Sequence, residues 1–356
     1  MTRVLFTGYA PVHFVCFQPV YDVLVNDPDV EVLVSGGIRY HEPAGERRHD
    51  TAALYSHFDL KPETVVDVAD LADLDVDVLV SSHTKPIPPR SYGQSLEMFH
   101  GLSFRNRAVR SEQHHYDHYF VLGPYQRRRL QQRGVLEPGR TTGVDIGFPK
   151  TDRLLDGSID LAAVRAELGF TGDRPVVMYA PTGAHDNSLE TFGVDAIRAL
   201  AATGDYNILV KPHDHPKKDI DWYERLAPLE TEHLRLLRAA DSIPALVASD
   251  VLISDASSIA NEWLLLDRPL VFLDVPELLT AAATEDDRLD LETWGRKGGL
   301  VARDAASTVR AVANSVAHPH EGSAIRRRIA EDLFYNPGTA TEAAVTWLRT
   351  TLGLAR

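Results

Sequence analysis

Val251-Leu252-Ile253-Ser254-Asp255-Ala256-Ser257-Ser258-Ile259-Ala260-Asn261-Glu262-Trp263 is the stretch on which the reading of the chain turns. A short apolar run, Val251–Ile253, has the length of a strand buried on both faces. A small hydroxyl-rich turn follows, and Ile259–Leu266 then carries apolar residues at helical spacing. Strand, polar turn and helix in that order form the repeating unit of a doubly wound sheet. The same alternation continues on either side. Ahead of it lie the strand patterns Val4–Thr7, Glu31–Ser35, Val76–Ser81, Met98–His100, Tyr119–Leu122 and Val144–Gly147, then Val176–Ala180, Asn207–Lys211 and Leu234–Leu237. Beyond it lie Leu270–Asp274 and Gly299–Val301. Helical patterns include Pro19–Val25, Pro124–Arg133, Leu161–Leu168, Asp195–Ala202, Ile243–Ala248 and Ala305–Val316, with two more at Ser323–Phe334 and Thr339–Leu352. Around Phe148–Asp160 both periodicities break at Pro149, Asp152, Asp156 and Gly157. The expectation is α/β, with two Rossmann-like doubly wound domains. They span 1–155 and 156–335, and 336–356 forms a closing helix that packs back on the first.

Composition narrows the function. The chain has 356 residues, 44% hydrophobic and 25% charged, and a formal net charge of −14. That acidic balance argues against non-specific nucleic-acid binding. Positive charge nevertheless gathers at Arg105, Arg107 and Arg110 and at Arg127, Arg128, Arg129 and Arg133. These are either solvated faces or a site for an anionic acceptor. Cys16 is the only cysteine, which excludes a disulfide within the chain and fits a reducing compartment. No signal-peptide pattern and no apolar run of roughly 18–20 residues occur, so a cytoplasmic location is expected.

Doubly wound sheets bind ligands beyond the carboxyl ends of their strands, and several polar clusters fall there. Ser254-Asp255-Ala256-Ser257-Ser258 either caps its own helix or offers hydroxyls and backbone N–H groups to a diphosphate. Glu262, one turn on, suits ribose hydroxyls. Lys211-Pro212-His213-Asp214-His215 is either a solvated loop or a place where Lys211 and His213 serve a phosphate leaving group. A zinc site there lacks further ligands at close spacing. Phe99-His100-Gly101 exposes an imidazole that is either structural or a base for an acceptor hydroxyl. Tyr179-Ala180-Pro181-Thr182 is another strand-end loop able to approach a nucleotide, and His13 lies in the first strand-to-helix connection. His114-His115-Tyr116-Asp117-His118 leads straight into a strand, whose alternation would split its side chains between faces. Neither a P-loop, a G-x-G-x-x-G fingerprint nor a G-x-S-x-G elbow is present.

Taken in order, Phe99-His100-Gly101, Gly147-Phe148-Pro149-Lys150-Thr151-Asp152, Tyr179-Ala180-Pro181-Thr182, Lys211-Pro212-His213 and Ser254–Ser258 through Glu262 to Arg268-Pro269-Leu270-Val271-Phe272 resemble the signature series of the CDP-glycerol glycerophosphotransferases. That family includes enzymes of teichoic acid and capsule polymer synthesis. The resemblance covers roughly residues 95–275. It departs at Phe99, where the family usually has Trp, at Leu102-Ser103-Phe104-Arg105, and at Glu262, where the family usually has Asp. It implies a GT-B fold with an acceptor-side first domain and a donor-side second domain facing a central cleft. It further implies His100 as catalytic base, His213 as the histidine at the donor phosphates, and Ser257 and Ser258 at the pyrophosphate.

The expected function is transfer of glycerol phosphate, or a related polyol phosphate, from a CDP-activated donor to an acceptor hydroxyl. His100 and His213 are the catalytic pair. Lys211, Thr182, Asp255, Ser257, Ser258 and Glu262 serve the donor, and Arg105 lies on the acceptor side. No protein-held metal or cofactor is expected beyond a Mg²⁺ loosely carried by the donor. The expected partners are the nucleotide donor and an anionic or glycolipid-linked acceptor, with room for peripheral contact at the inner membrane face. The alternatives are a glycosyltransferase using a UDP- or CMP-sugar, a UDP-sugar 2-epimerase, and a non-enzymatic module binding a nucleotide diphosphate.

Overall fold

The computed structural model describes residues 1–41, 47–83, 85–102, 104, 116–170, 172–213, 220–280, 290–351 and 353. They fall into two units. Unit 1 contains residues 1–100, 116–152 and 333–353, and unit 2 contains 101–104 and 153–332.

Unit 1 runs β1 (Thr2–Gly8), α1 (Pro11–Leu24), β2 (Val30–Gly36), β3 (Ile38–His41), β4 (Arg47–Asp50), α2 (Thr51–Tyr55), β5 (Asp75–Ser81), β6 (Ser91–Glu97), β7 (His118–Val121), α3 (Pro124–Gln132) and β8 (Thr142–Asp145). The main sheet has the order β2-β1-β5-β6-β7-β8, and every pairing in it is parallel. Val4, Leu5 and Phe6 are fully buried, as strands covered on both faces require. From β1 the chain goes first to β2 and then back past β1 to β5. The order therefore reverses between β1 and β5, where open α/β sheets leave a crevice.

Unit 2 contains α4 (Leu161–Glu167), β9 (Val176–Tyr179), α5 (Gly193–Thr203), β10 (Asn207–Val210), α6 (Trp222–Leu226), β11 (Leu234–Leu236), α7 (Ile243–Ala248) and β12 (Val251–Ser254). It continues with α8 (Ile259–Trp263), β13 (Leu270–Leu273), α9 (Pro276–Thr280), β14 (Leu300–Ala302), α10 (Ala305–Ala317) and α11 (Ser323–Leu333). Its sheet is also parallel throughout, in the order β11-β10-β9-β12-β13-β14. Here the reversal lies between β9 and β12. Local signals fit the elements: Gly204 ends α5 in the left-handed region at φ 73°, and Asp304 with Ser307 forms a capping box on α10. The last helix, α12 (Ala340–Thr351), adds Ala344, Val345 and Leu348 to the core of unit 1 and packs on α1.

Two expectations are corrected. Met98–His100 is not a strand: the strand is Ser91–Glu97, whose pairing with β5 outweighs its polar composition. The first helix begins at Pro11, not Pro19. Pro11 lacks only an N–H that a first turn leaves unbonded anyway, and Pro19 is carried inside a helix fixed by the buried face of Phe14, Phe17, Val20 and Tyr21. The β3–β4 hairpin has no counterpart in the sequence reading.

Candidate active site

In unit 1 the ends of β1, β5 and β6, neighbours in the sheet, each deliver a histidine. Beyond β1, Tyr9 and His13 straddle the start of α1, and the Tyr9 N–H donates to His13 Nδ1 at 3.2 Å. Gly8 permits this close return, because a Cβ there would lie 2.7 Å from His13 Cβ. Ser81 ends β5 and Ser82-His83 follow, with Ser81 Oγ 2.9 Å from His83 Nδ1. Beyond β6, Phe99 sits in the left-handed region at φ 55° with its ring buried, and this turn delivers His100. A bulky side chain there carries backbone strain of the kind that functional sites retain.

The rings touch in series. His13 lies 4.9 Å from His100 and 5.4 Å from His83, the latter pair nearly parallel, and Tyr9 meets His13 and His83 edge-on at 4.4 and 4.7 Å. His100 Nδ1 is 2.5 Å from the Ser82 carbonyl oxygen. A carbonyl can only accept, so Nδ1 carries the proton and the neutral ring presents a lone pair at Nε2. Burial lowers the His100 pKa and the nearby Lys150 charge lowers it further, while the Ser82 bond opposes them. Protein atoms surround the ring, while the residue as a whole stays exposed. His83 is held down to about 3, by burial first and then by the charges of His100, Arg39 and His49. At neutral pH it is uncharged.

In unit 2 the ends of β10, β9 and β12, again neighbours, bring together Lys211 and His213, Thr182, and Ser254–Ser258. Asp255 ties these loops to one another. Its carboxylate accepts from the backbone N–H groups of Thr182 at 2.7 Å, Ser188 at 3.0 Å and Ala256 at 2.6 Å, and from Ser188 Oγ at 2.7 Å. With its oxygens so engaged, Asp255 holds the shape of the turn. Ser254 Oγ donates to the Ala180 carbonyl at 2.7 Å, pinning the turn to the end of β9. Ser257 and Ser258 stay partly exposed, and Ser258 makes no side-chain cap to α8. Lys211 Nζ donates to Tyr223 Oη at 3.2 Å, and His213 is exposed. Glu262 lies under the turn, 2% exposed. Gly101, which follows His100 in the chain, belongs to unit 2, and a Cβ there would come 3.0 Å from Ser258 Oγ. Asn261 Nδ2 donates to the Leu102 carbonyl at 2.6 Å.

Arg105, Arg107, Arg110, His114, His115, Asp214 and His215 lie outside the described residues. Arg127 is committed to Asp145, at 2.6 Å, and to the Gly143 carbonyl, a structural role. His118 packs edge-on against Trp347. The sequence reading missed Tyr9, Arg39 and His83. His83 had the signal used for the other clusters, polar residues directly after an apolar strand run.

The family model described as CDP-glycerol:poly(glycerophosphate) glycerophosphotransferase matches residues 93–345, well over half of the chain. A teichoic acid glycerol-phosphate transferase of Staphylococcus aureus is 24% identical over 184 residues, covering 46% of this chain and 42% of that protein. The match thus spans less than half the length of that relative. Among solved structures, the wall teichoic acid polymerase TagF superposes with a TM-score of 0.71 at 14% identity, covering 99% of this chain and 89% of that one. A UDP-GlcNAc 2-epimerase from Neisseria meningitidis superposes with a TM-score of 0.61 at 12% identity, covering 98% and 99%. The α/β, GT-B reading of the fold is the one these structures share.

Proposed function

Because the chain belongs to the CDP-glycerol:poly(glycerophosphate) glycerophosphotransferase family, we propose that it transfers glycerol phosphate from CDP-glycerol to an acceptor hydroxyl. His100 is the base. The observation that carries this role is the bond from His100 Nδ1 to the Ser82 carbonyl, which leaves Nε2 as the basic nitrogen of the neutral ring. The acceptor oxygen loses its proton to Nε2 and attacks the glycerol-bearing phosphorus, and the bond from that phosphorus to the bridging oxygen breaks, releasing CMP. Lys211, His213, Ser257 and Ser258 are the donor-side groups, offering positive charge and hydrogen bonds to a departing phosphate. Such positioned charge supplies most of the rate in phosphoryl transfer. Thr182 belongs to the same loops, and Asp255 and Glu262 support the turn from beneath.

The histidines favour transfer over mere nucleotide binding, since a binding module has no use for an oriented base in unit 1. No helix among the described residues is long and apolar enough to cross a membrane.

His100→Ala tests the assignment. Turnover should fall by about 10²–10⁴-fold, as expected for a lost general base, with CDP-glycerol affinity by calorimetry unchanged. Because the folded pKa is lowered from 6.5, His100 stays neutral below that pH. The wild-type rate should hold through pH 6.5 and drop only as the pH passes the depressed value. Near-normal turnover in the variant would make the histidine structural.

A further inference from the structure

The crevice between β1 and β5 holds more than the base requires. Arg39, on β3, lies with its guanidinium carbon 4.2 Å from the Tyr9 ring centroid. No described carboxylate pairs with it, and its Nε is buried without a hydrogen bond. His83, 4% exposed, also has a buried Nε2 with no partner. In the tautomer where Ser81 Oγ donates to Nδ1, that nitrogen is a second N–H lacking an acceptor. α1 begins here too, and its N-cap, Ala10, provides no side-chain oxygen for the first-turn N–H groups. A cation with an unsatisfied Nε–H, a buried imidazole nitrogen without a partner and the positive end of a fourteen-residue helix therefore lie together at the topological switch point of this sheet. The cation and the helix end favour an anion, and burial holds His83 and His100 away from carrying charge themselves.

We infer that this crevice binds a phosphate group of the acceptor, with Arg39, steadied on Tyr9, as its main ligand. The guanidinium is separated from the His100 ring by two rings in contact, Tyr9 and His13. An oxyanion at Arg39 would place a neighbouring hydroxyl of the same molecule toward His100. A glycerol phosphate chain, the acceptor that the family's description names, carries a phosphodiester a few carbons from its terminal hydroxyl and so fits this arrangement. This inference rests on the transferase reading for its acceptor but not for its anion.

The test compares a synthetic glycerol phosphate trimer with its uncharged methyl triester, using CDP-glycerol as donor. Wild-type protein should show a KM at least tenfold lower for the charged acceptor. Arg39→Gln should abolish that preference while leaving KM for CDP-glycerol and for the triester unchanged, and Arg39→Lys should restore part of it. Equilibrium binding of the trimer alone separates this inference from the transferase reading. Binding lost in Arg39→Gln but kept in Ser257→Ala/Ser258→Ala would support the crevice even if no turnover occurred. An Arg39→Gln variant that melts like wild type and still prefers the charged trimer would overturn it. So would wild-type protein that binds the triester as well as the trimer, or trimer binding lost only in the serine variant.

Discussion

Glu97 ends β6 three residues before the base and is 2% exposed. Burial pushes its carboxyl pKa well above 4.5. The folded chain therefore keeps a proton that the unfolded chain releases, and stability falls as pH rises above 4.5. His83 acts in the opposite sense. Its folded pKa of about 3 lies below the ordinary 6.5, so the unfolded chain binds a proton first and stability falls as pH drops below 6.5. The two slopes offset one another between these ordinary values. Glu97→Gln removes one of them, since glutamine cannot ionise. Relative to wild type, the variant should gain about 1.4 kcal/mol per pH unit above 4.5 until Glu97 itself ionises. Urea denaturation at pH 5 and pH 7 measures this. An unchanged difference between the two proteins would show that Glu97 is already ionised in the folded state.

At the scale of elements, Gly147-Phe148-Pro149-Lys150-Thr151-Asp152 explains itself as architecture. Asp152 accepts from the backbone N–H groups of Ala340 at 3.1 Å and Thr341 at 2.7 Å, capping α12 across 188 residues of chain. Gly147, at φ 94°, passes so close to the Tyr335 carbonyl that a Cβ would lie 2.1 Å from its oxygen. This motif fastens the last helix, and it also carries Lys150, whose charge reaches His100. Asp152→Ala should cost about 1–2 kcal/mol, the upper range for a lost cap, and lower the melting temperature. CDP-glycerol affinity should be unaffected, because the residues proposed for the donor lie in unit 2. A variant as stable as wild type would mean that other groups satisfy the start of α12.

At the scale of the whole molecule, unit 1 is assembled from distant parts of the chain. Its core takes Phe14, Phe17 and Phe120 from early residues and Ala344, Val345 and Leu348 from the last helix, with Trp347 against Phe120. Burying one such Val or Leu is worth about 1.5–3 kcal/mol, so α12 supports unit 1 as a block. A chain ended after Asp332 should lose protection of the β1 amides in hydrogen exchange. The β12 amides should stay protected, since unit 2 keeps its six strands. Protected β1 amides in the shortened chain would show that unit 1 folds without its closing helix.

Local chemistry left a clear imprint in the residues. Runs such as Val251–Ser254 are apolar because both faces of the strand are covered. The turn after them is small and polar because a strand must become a helix there. The sequence alone was therefore enough for the alternating plan, the strand-end position of Ser257, Ser258, Lys211 and His213, and the family resemblance. Pairing is not written locally. Ser91–Glu97 is too polar to announce a strand and becomes one because β5 offers its hydrogen bonds. For the same reason nothing local joins His100 to its companions. His13, His83 and Arg39 lie far apart in the chain; the sheet order β1-β5-β6 brings the histidine rings together, and the β3–β4 hairpin brings Arg39 onto Tyr9. Asp255 shows the converse. Its place in the motif suggests a ligand contact, and only the fold reveals that the loops around it also supply four donors to its carboxylate.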